Sequence, residues 1–176
     1  WGAPYEAYRW SDGSMVGLGG LSAKYAATGA SAVSADGSVV VGTAADYIEG
    51  GVQAFRWSGG TMTGLGVLPD HVNSFGNGVS ADGGVVVGSS QGQLGFSEAF
   101  RWADGVITGL GFLLDGVHGE AYGVSADGEV VVGYSSDVAG HRTAFRWQGG
   151  VMSALDGFPD GASSIATAIS AGGEFV

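Results

Sequence analysis

The 176 residues carry a formal charge of −11 at pH 7, with Lys24 and five arginines as the whole basic complement and no cysteine. That sign repels a phosphate backbone and an anionic bilayer alike, and no apolar run reaches spanning length, so neither nucleic acid nor direct membrane insertion is expected. Without cysteine there is no disulfide framework or thiolate metal site, and the redox compartment stays open.

Along the chain, Tyr5 to Leu18 reads as two short strands around Arg9-Trp10. A unit V-S-A-D-G-x-V-V-V-G follows at Val33 to Gly42 and returns at Val79 to Gly88 and Val124 to Gly133, with a degenerate I-S-A-G-G-E-F-V from Ile169 to Val176. After each full unit comes an Arg-Trp pair, at Arg56-Trp57, Arg101-Trp102 and Arg146-Trp147, then a Gly turn and a segment of the type M/I-x-G-L-G. The period is about 45 residues, the signature of a repeat architecture. In the third copy the strands are expected at Ala121 to Ala126, Glu129 to Ser135, Thr143 to Trp147 and Val151 to Leu155. The Asp-Gly pairs Asp36-Gly37, Asp82-Gly83 and Asp127-Gly128 read as tight hairpin turns with positive φ, which makes the strands antiparallel.

Valine runs such as Val85 to Val87 put apolar side chains on both faces, so both faces of each sheet must be covered. The expected fold is therefore all-β: a β-propeller of four four-stranded antiparallel blades in a single repeat domain, residues 1–176. The copies run over approximately 1–30, 31–77, 78–122 and 123–167, and 168–176 completes the blade begun at residue 1. That closing blade is shared between the N- and C-terminal segments. A longer array cut at an arbitrary point, or two chains joined in a larger ring by self-association, are the open alternatives. Within Phe145-Arg146-Trp147 the period of two sends both aromatics to one face, so four Phe/Tyr-x-Trp pairs are expected to form the inter-blade core, each tryptophan contributing at most several kcal/mol, and Trp102→Ala is expected to be severely destabilising.

The segments E-A-F-R-W (Glu98 to Trp102), G-L-G-x-L (Gly64 to Leu68) and V-S-A-D-G-x-V-V-V-G resemble the bacterial extracellular HAF repeats over essentially the whole chain. The resemblance implies export to the surface of a Gram-negative bacterium, as a secreted protein or as an autotransporter passenger region. It carries no catalytic motif. The sequence departs from the pattern at Gly172, where Asp is expected.

The repeated aspartates are read as turn residues rather than calcium ligands, since one carboxylate per blade spaces them too widely to share an ion. The repeated arginines read as packing groups that stack on aromatics or donate to carbonyls between blades. His71 and His118 are expected in loops linking blades and His141 in a loop within one, without zinc spacing. No cofactor, metal ligand or catalytic residue is expected.

The leading reading is a non-enzymatic, secreted or cell-surface module, either a scaffold or a binder of a protein or glycan ligand through variable loops. The loops are placed at Thr43 to Gln53, Ser89 to Ser97 and Ser135 to His141, and around Asp70-His71 and Asp115 to His118. Candidate binding residues are Tyr47, Asp70, His71, Phe96, Asp115, His118, Tyr134 and Asp160. The alternative is a hydrolase or lyase with Asp70, Asp115 and Asp160 at the propeller's axial opening; an asymmetric pocket of clustered carboxylates would mark it.

Overall fold

The computed structural model describes residues 5–46, 48–113, 115–157 and 161–176. The described residues form strands joined by turns and loops, with no helix among them. A two-stranded ribbon, β1 (Tyr8–Ser11) and β2 (Ser14–Gly17), leads into three antiparallel four-stranded sheets. The first holds β3 (Ala27–Val33), β4 (Val39–Asp46), β5 (Gly51–Ser58) and β6 (Thr61–Gly64). The second holds β7 (His71–Val79), β8 (Val85–Gly92), β9 (Ser97–Ala103) and β10 (Val106–Gly109). The third holds β11 (Gly116–Val124), β12 (Val130–Asp137), β13 (Arg142–Gln148) and β14 (Val151–Ala154). Strands in each sheet neighbour one another in chain order, as a meander of short connections requires.

The second strand of each sheet is covered on both faces, as the valine runs demand: Val39 to Val41, Val85 to Val87 and Val130 to Val132 are all buried. Successive sheets pack through shared apolar layers. Phe100 of the second sheet sits among Val39, Val41, Ala54 and Leu65 of the first, and Phe145 of the third among Val87, Ala99 and Leu110 of the second. The division of labour between aromatics differs from the sequence expectation. Phe55, Phe100 and Phe145 have no exposed surface, whereas Trp57, Trp102 and Trp147 are only partly buried and pack at the margins of the same layers. In the ribbon the equivalent Tyr8 and Trp10 are 55% and 64% exposed.

Two further corrections concern turns. The Asp-Gly sites are not two-residue hairpins. Five residues separate β3 from β4, only Gly37 takes a positive φ (72°), and Ser34 Oγ donates to Asp36 Oδ1 at 2.7 Å while accepting from Val39 N–H at 3.0 Å. The tight two-residue hairpins with positive φ lie elsewhere, at Asp12-Gly13, Gly59-Gly60, Asp104-Gly105 and Gly149-Gly150, between the third and fourth strands of each copy. The regions read as variable loops are largely strand: Thr43 to Asp46 extends β4, Ser89 to Gly92 extends β8, and Ser135 to Asp137 extends β12.

Each first strand carries a bulge at one equivalent place, between Ala30 and Ala32, Gly76 and Gly78, and Ala121 and Gly123. Opposite it sits the last glycine of the V-V-V-G run. A Cβ on Gly133 would collide with the Glu120 carbonyl oxygen, and one on Gly88 with that of Phe75, so close backbone approach explains this glycine.

The turns also tie the sheets together. Arg9, Arg56 and Arg101 donate through Nε to the carbonyls of Gly37, Gly83 and Gly128 in the next copy, at 2.6, 2.8 and 3.2 Å. A chain of backbone bonds from turn to turn runs beside them: Ala35 N–H to Ala81 O, Ala81 N–H to Ala126 O, and Ala126 N–H to Ala171 O. The last link reaches the degenerate fourth copy, where Ser170 to Gly173 repeats the same turn without its aspartate. Of the expected fourth sheet, two halves are seen apart. The ribbon packs on the first sheet through Ala7 and Leu18, and Ala166 packs on the third. Among the described residues no hydrogen bond joins these halves.

Candidate functional site

Because the three sheets repeat, a side-chain cluster present in only one of them stands out. Such a cluster lies on β11 and β12. Glu120 sits where the second sheet has Phe75 and the first has Gly29, and its register partner on β12 is Tyr134. Tyr122, at the bulge, donates its hydroxyl to Glu120 Oε2 at 2.9 Å, and Tyr134 donates to Oε1 at 3.0 Å. The bulge, by re-aiming one side chain, puts two phenols on one carboxylate. The rings of Tyr122 and Tyr134 lie 6.2 Å apart, and the Arg142 guanidinium stands 4.8 Å over the Tyr134 ring.

Both phenols are driven above the ordinary tyrosine pKa, first by burial and then by their bonds to Glu120 and its charge. They therefore stay protonated and act as donors, holding the carboxylate in one plane.

Glu120 and Tyr134 open onto a depression of about 400 Å³ at the junction of the second and third sheets, lined also by Phe75, Asn77, Ser89, Gln91, Gly95, Ser97 and His118. Asn77 Nδ2 donates to Ala121 O at 2.9 Å, and Gln91 Oε1 accepts from Asn73 Nδ2 at 3.2 Å. His118 Nδ1 accepts from Ser97 N–H at 3.4 Å and its ring lies 5.2 Å from that of Phe96. Asn73 and Ser163 make the equivalent link to Val52 N–H and Arg142 N–H in their own copies, so His118 is in part a tie between sheets.

Of the residues predicted from sequence, His118 and Tyr134 are thus brought together here, with Phe96 against the His118 ring. They lie differently from the expectation: His118 and Tyr134 are strand residues, and Tyr134 is buried. His71 opens β7 rather than occupying a loop; with Asp70 and Phe96 it lines a separate depression of about 470 Å³. Asp115 lines a third, smaller one with Asp137 and His141. Asp70 and Asp115 both take positive φ, 63° and 60°, as turn residues before the first strand of a sheet. Tyr47 and Asp160 lie outside the described residues. Among the described residues no group of three or more His, Asp or Glu is placed to hold a metal ion.

Glu120, Tyr122, Gln91 and Arg142 were missed by the sequence reading. The available signal was the break in the repeat itself, since aligning G-E-A-Y-G-V on S-F-G-N-G-V shows where the third copy acquires a carboxylate and one phenol, and aligning V-V-V-G-Y on V-V-V-G-S shows the second phenol.

Meandering four-stranded antiparallel sheets, covered on both faces by their neighbours in sequence, are the blades of a β-propeller, and the polar depression lies at a blade junction. No family model matches the chain, and no curated protein matches it. Solved structures do. A TolB from Acinetobacter baumannii matches at 18% identity and a TM-score of 0.56 over 82% of this chain and 35% of its own. A protein assigned as TolB in Agrobacterium tumefaciens matches at 18% identity and 0.59 over 87% of this chain and 62% of its own. A fucose lectin from Kordia zhangzhouensis, solved with methyl-fucoside, is similar at 14% identity and 0.46 over 73% of this chain and 99% of its own, a score too low to carry an argument. The chain thus spans less than two thirds of the TolB structures it matches, and at these identities the likeness concerns fold alone.

Proposed function

We propose that this chain is a non-enzymatic β-propeller module of the bacterial cell surface or secreted space that binds a protein or glycan ligand in the depression around Glu120. The observation that carries this reading is the symmetry break. Packing alone is satisfied in the first two blades without a carboxylate at this position, so the Glu120-Tyr122-Tyr134 cluster is not needed to build a blade. Binding sites put a few placed polar groups among aromatic side chains, as here.

Surface location and the HAF-repeat assignment belong to this proposal, supported by the repeat motifs and the acidic, lysine-poor composition. So does closure of a fourth blade, in which Ala166 to Val176 would supply the inner strands and β1–β2 the outer pair, within one chain or between two. It is supported by the exposed Tyr8 and Trp10, whose equivalents in the three complete blades are buried or partly buried on strands paired to a second strand. The hydrolase or lyase alternative calls on Asp70, Asp115 and Asp160; Asp160 lies outside the described residues, and the separate depressions and turn conformations of Asp70 and Asp115 support the binding reading instead.

Glycan and peptide arrays, followed by amide chemical-shift mapping with any ligand found, test the proposal. Shifts concentrated at Ser97, His118, Glu120 and Tyr134 are expected. Shifts confined to the loops at Asp70 and Asp115 would place binding elsewhere.

A further inference from the structure

Resting on that reading of the depression, we propose that its ligand is a neutral saccharide, a pyranose whose hydroxyls donate to the Glu120 carboxylate while its ring lies against Phe75. A carboxylate offers about four acceptor directions. The Tyr122 and Tyr134 hydroxyls take one on each oxygen, at 2.9 and 3.0 Å, and fix the plane in which the remaining two face a ligand. Adjacent sugar hydroxyls are donors at the spacing of two carboxylate oxygens, and such charge-assisted bonds are roughly twice as strong as neutral ones.

The other walls suit the same chemistry. Gln91, with its oxygen held by Asn73, keeps its amide N–H groups for a ring or hydroxyl oxygen, and Ser89 adds a hydroxyl beside it. Phe75, which is only partly buried, supplies ring surface for the C–H face of a sugar. A volume of about 400 Å³ falls within the usual small-ligand range.

Charge decides between sugar classes. An acidic sugar would bring a second negative charge beside Glu120 in a chain of net charge −11. A cationic ligand would compete with a cation already there, since Arg142 stands over Tyr134 and two phenols already share the carboxylate's charge. A neutral polyol uses what is left, which is acceptor directions rather than net charge.

The test is calorimetric and NMR titration of the folded protein with methyl α-mannoside, methyl β-galactoside, N-acetylglucosamine, glucosamine and glucuronic acid, repeated on Glu120→Gln and Tyr134→Phe, with melting curves to confirm folding. At least one neutral sugar is expected to shift the Ser89, Gln91 and Glu120 amides. Glu120→Gln should weaken it about 10- to 100-fold, and glucuronic acid should bind more weakly than the neutral sugars. Tighter binding of glucosamine than of N-acetylglucosamine would overturn the inference in favour of a cation site. So would sugar binding that Glu120→Gln leaves intact, or the absence of any sugar-induced shift in the groove. In that last case a peptide that still shifts these amides leaves the binding proposal standing, whereas silence to both removes the two together.

Discussion

Phe100 and Trp102 stand two residues apart on one strand and point to the same face, yet their burial differs, with Phe100 at 0% exposed. Phe100 is enclosed by Val39, Val41, Ala54, Leu65, Leu68 and Val86, while Trp102 touches that layer from its margin. Phe100→Ala should therefore leave a cavity and cost about 3–5 kcal/mol in urea unfolding. Trp10→Ala, at a position 64% exposed in the ribbon, should cost less than about 1 kcal/mol. Equal losses at the two sites would show that the layers are not built around the phenylalanines. Strand alternation made the shared face legible in the sequence. Residue size then suggested tryptophan as the anchor, but depth within the layer depends on where each position lies relative to the sheet edge, which alternation does not encode.

At the scale of the element, the serine-aspartate turn is the device that every complete copy uses. Asp36, Asp82 and Asp127 each accept the hydroxyl of the serine two residues before and the N–H of the residue two after. All three carboxylates are held below the ordinary value. Asp36 falls to about 2 through the N–H of Ser38 and the hydroxyls of Ser34 and Ser38; for Asp82 and Asp127 the serine hydroxyl is the first cause. A carboxylate whose folded pKa lies below its unfolded value, near 3.9, stabilises fully above that value and loses its effect as pH falls through the folded one. Thermal midpoints should thus stay flat from about pH 7 to 5 and drop between about 4 and 2. Replacing the three aspartates with asparagine should flatten the drop; an unchanged acid limb in that variant would mean other carboxylates dominate. The presence of a turn here was legible from Asp-Gly. Its wider form was not, because it depends on the Ser34 hydroxyl bridging Asp36 and Val39 N–H across the turn.

For the whole molecule, stability is carried by sheets that cover one another. The second strands β4, β8 and β12 are buried on both faces and hydrogen-bonded on both edges, whereas β1–β2 exposes Tyr8, Trp10, Met15 and Val16. Hydrogen exchange should accordingly be slowest at Val40, Val86 and Val131 and fastest, among strand amides, in the ribbon. Comparable protection in the ribbon would show that its open edge is occupied in solution, as the closed fourth blade requires. By itself the sequence determined the repeat, its antiparallel strands, the two-sided burial of the valine runs and the placing of turns, because alternation and turn chemistry act between residues a few positions apart. Only the tertiary structure decided that Glu120 meets Tyr122 and Tyr134, that His118 joins Ser97, and that the arginines clasp the turns of the next copy. Those contacts depend on a bulge, a strand register and the packing of one sheet on another, and no local pattern specifies them.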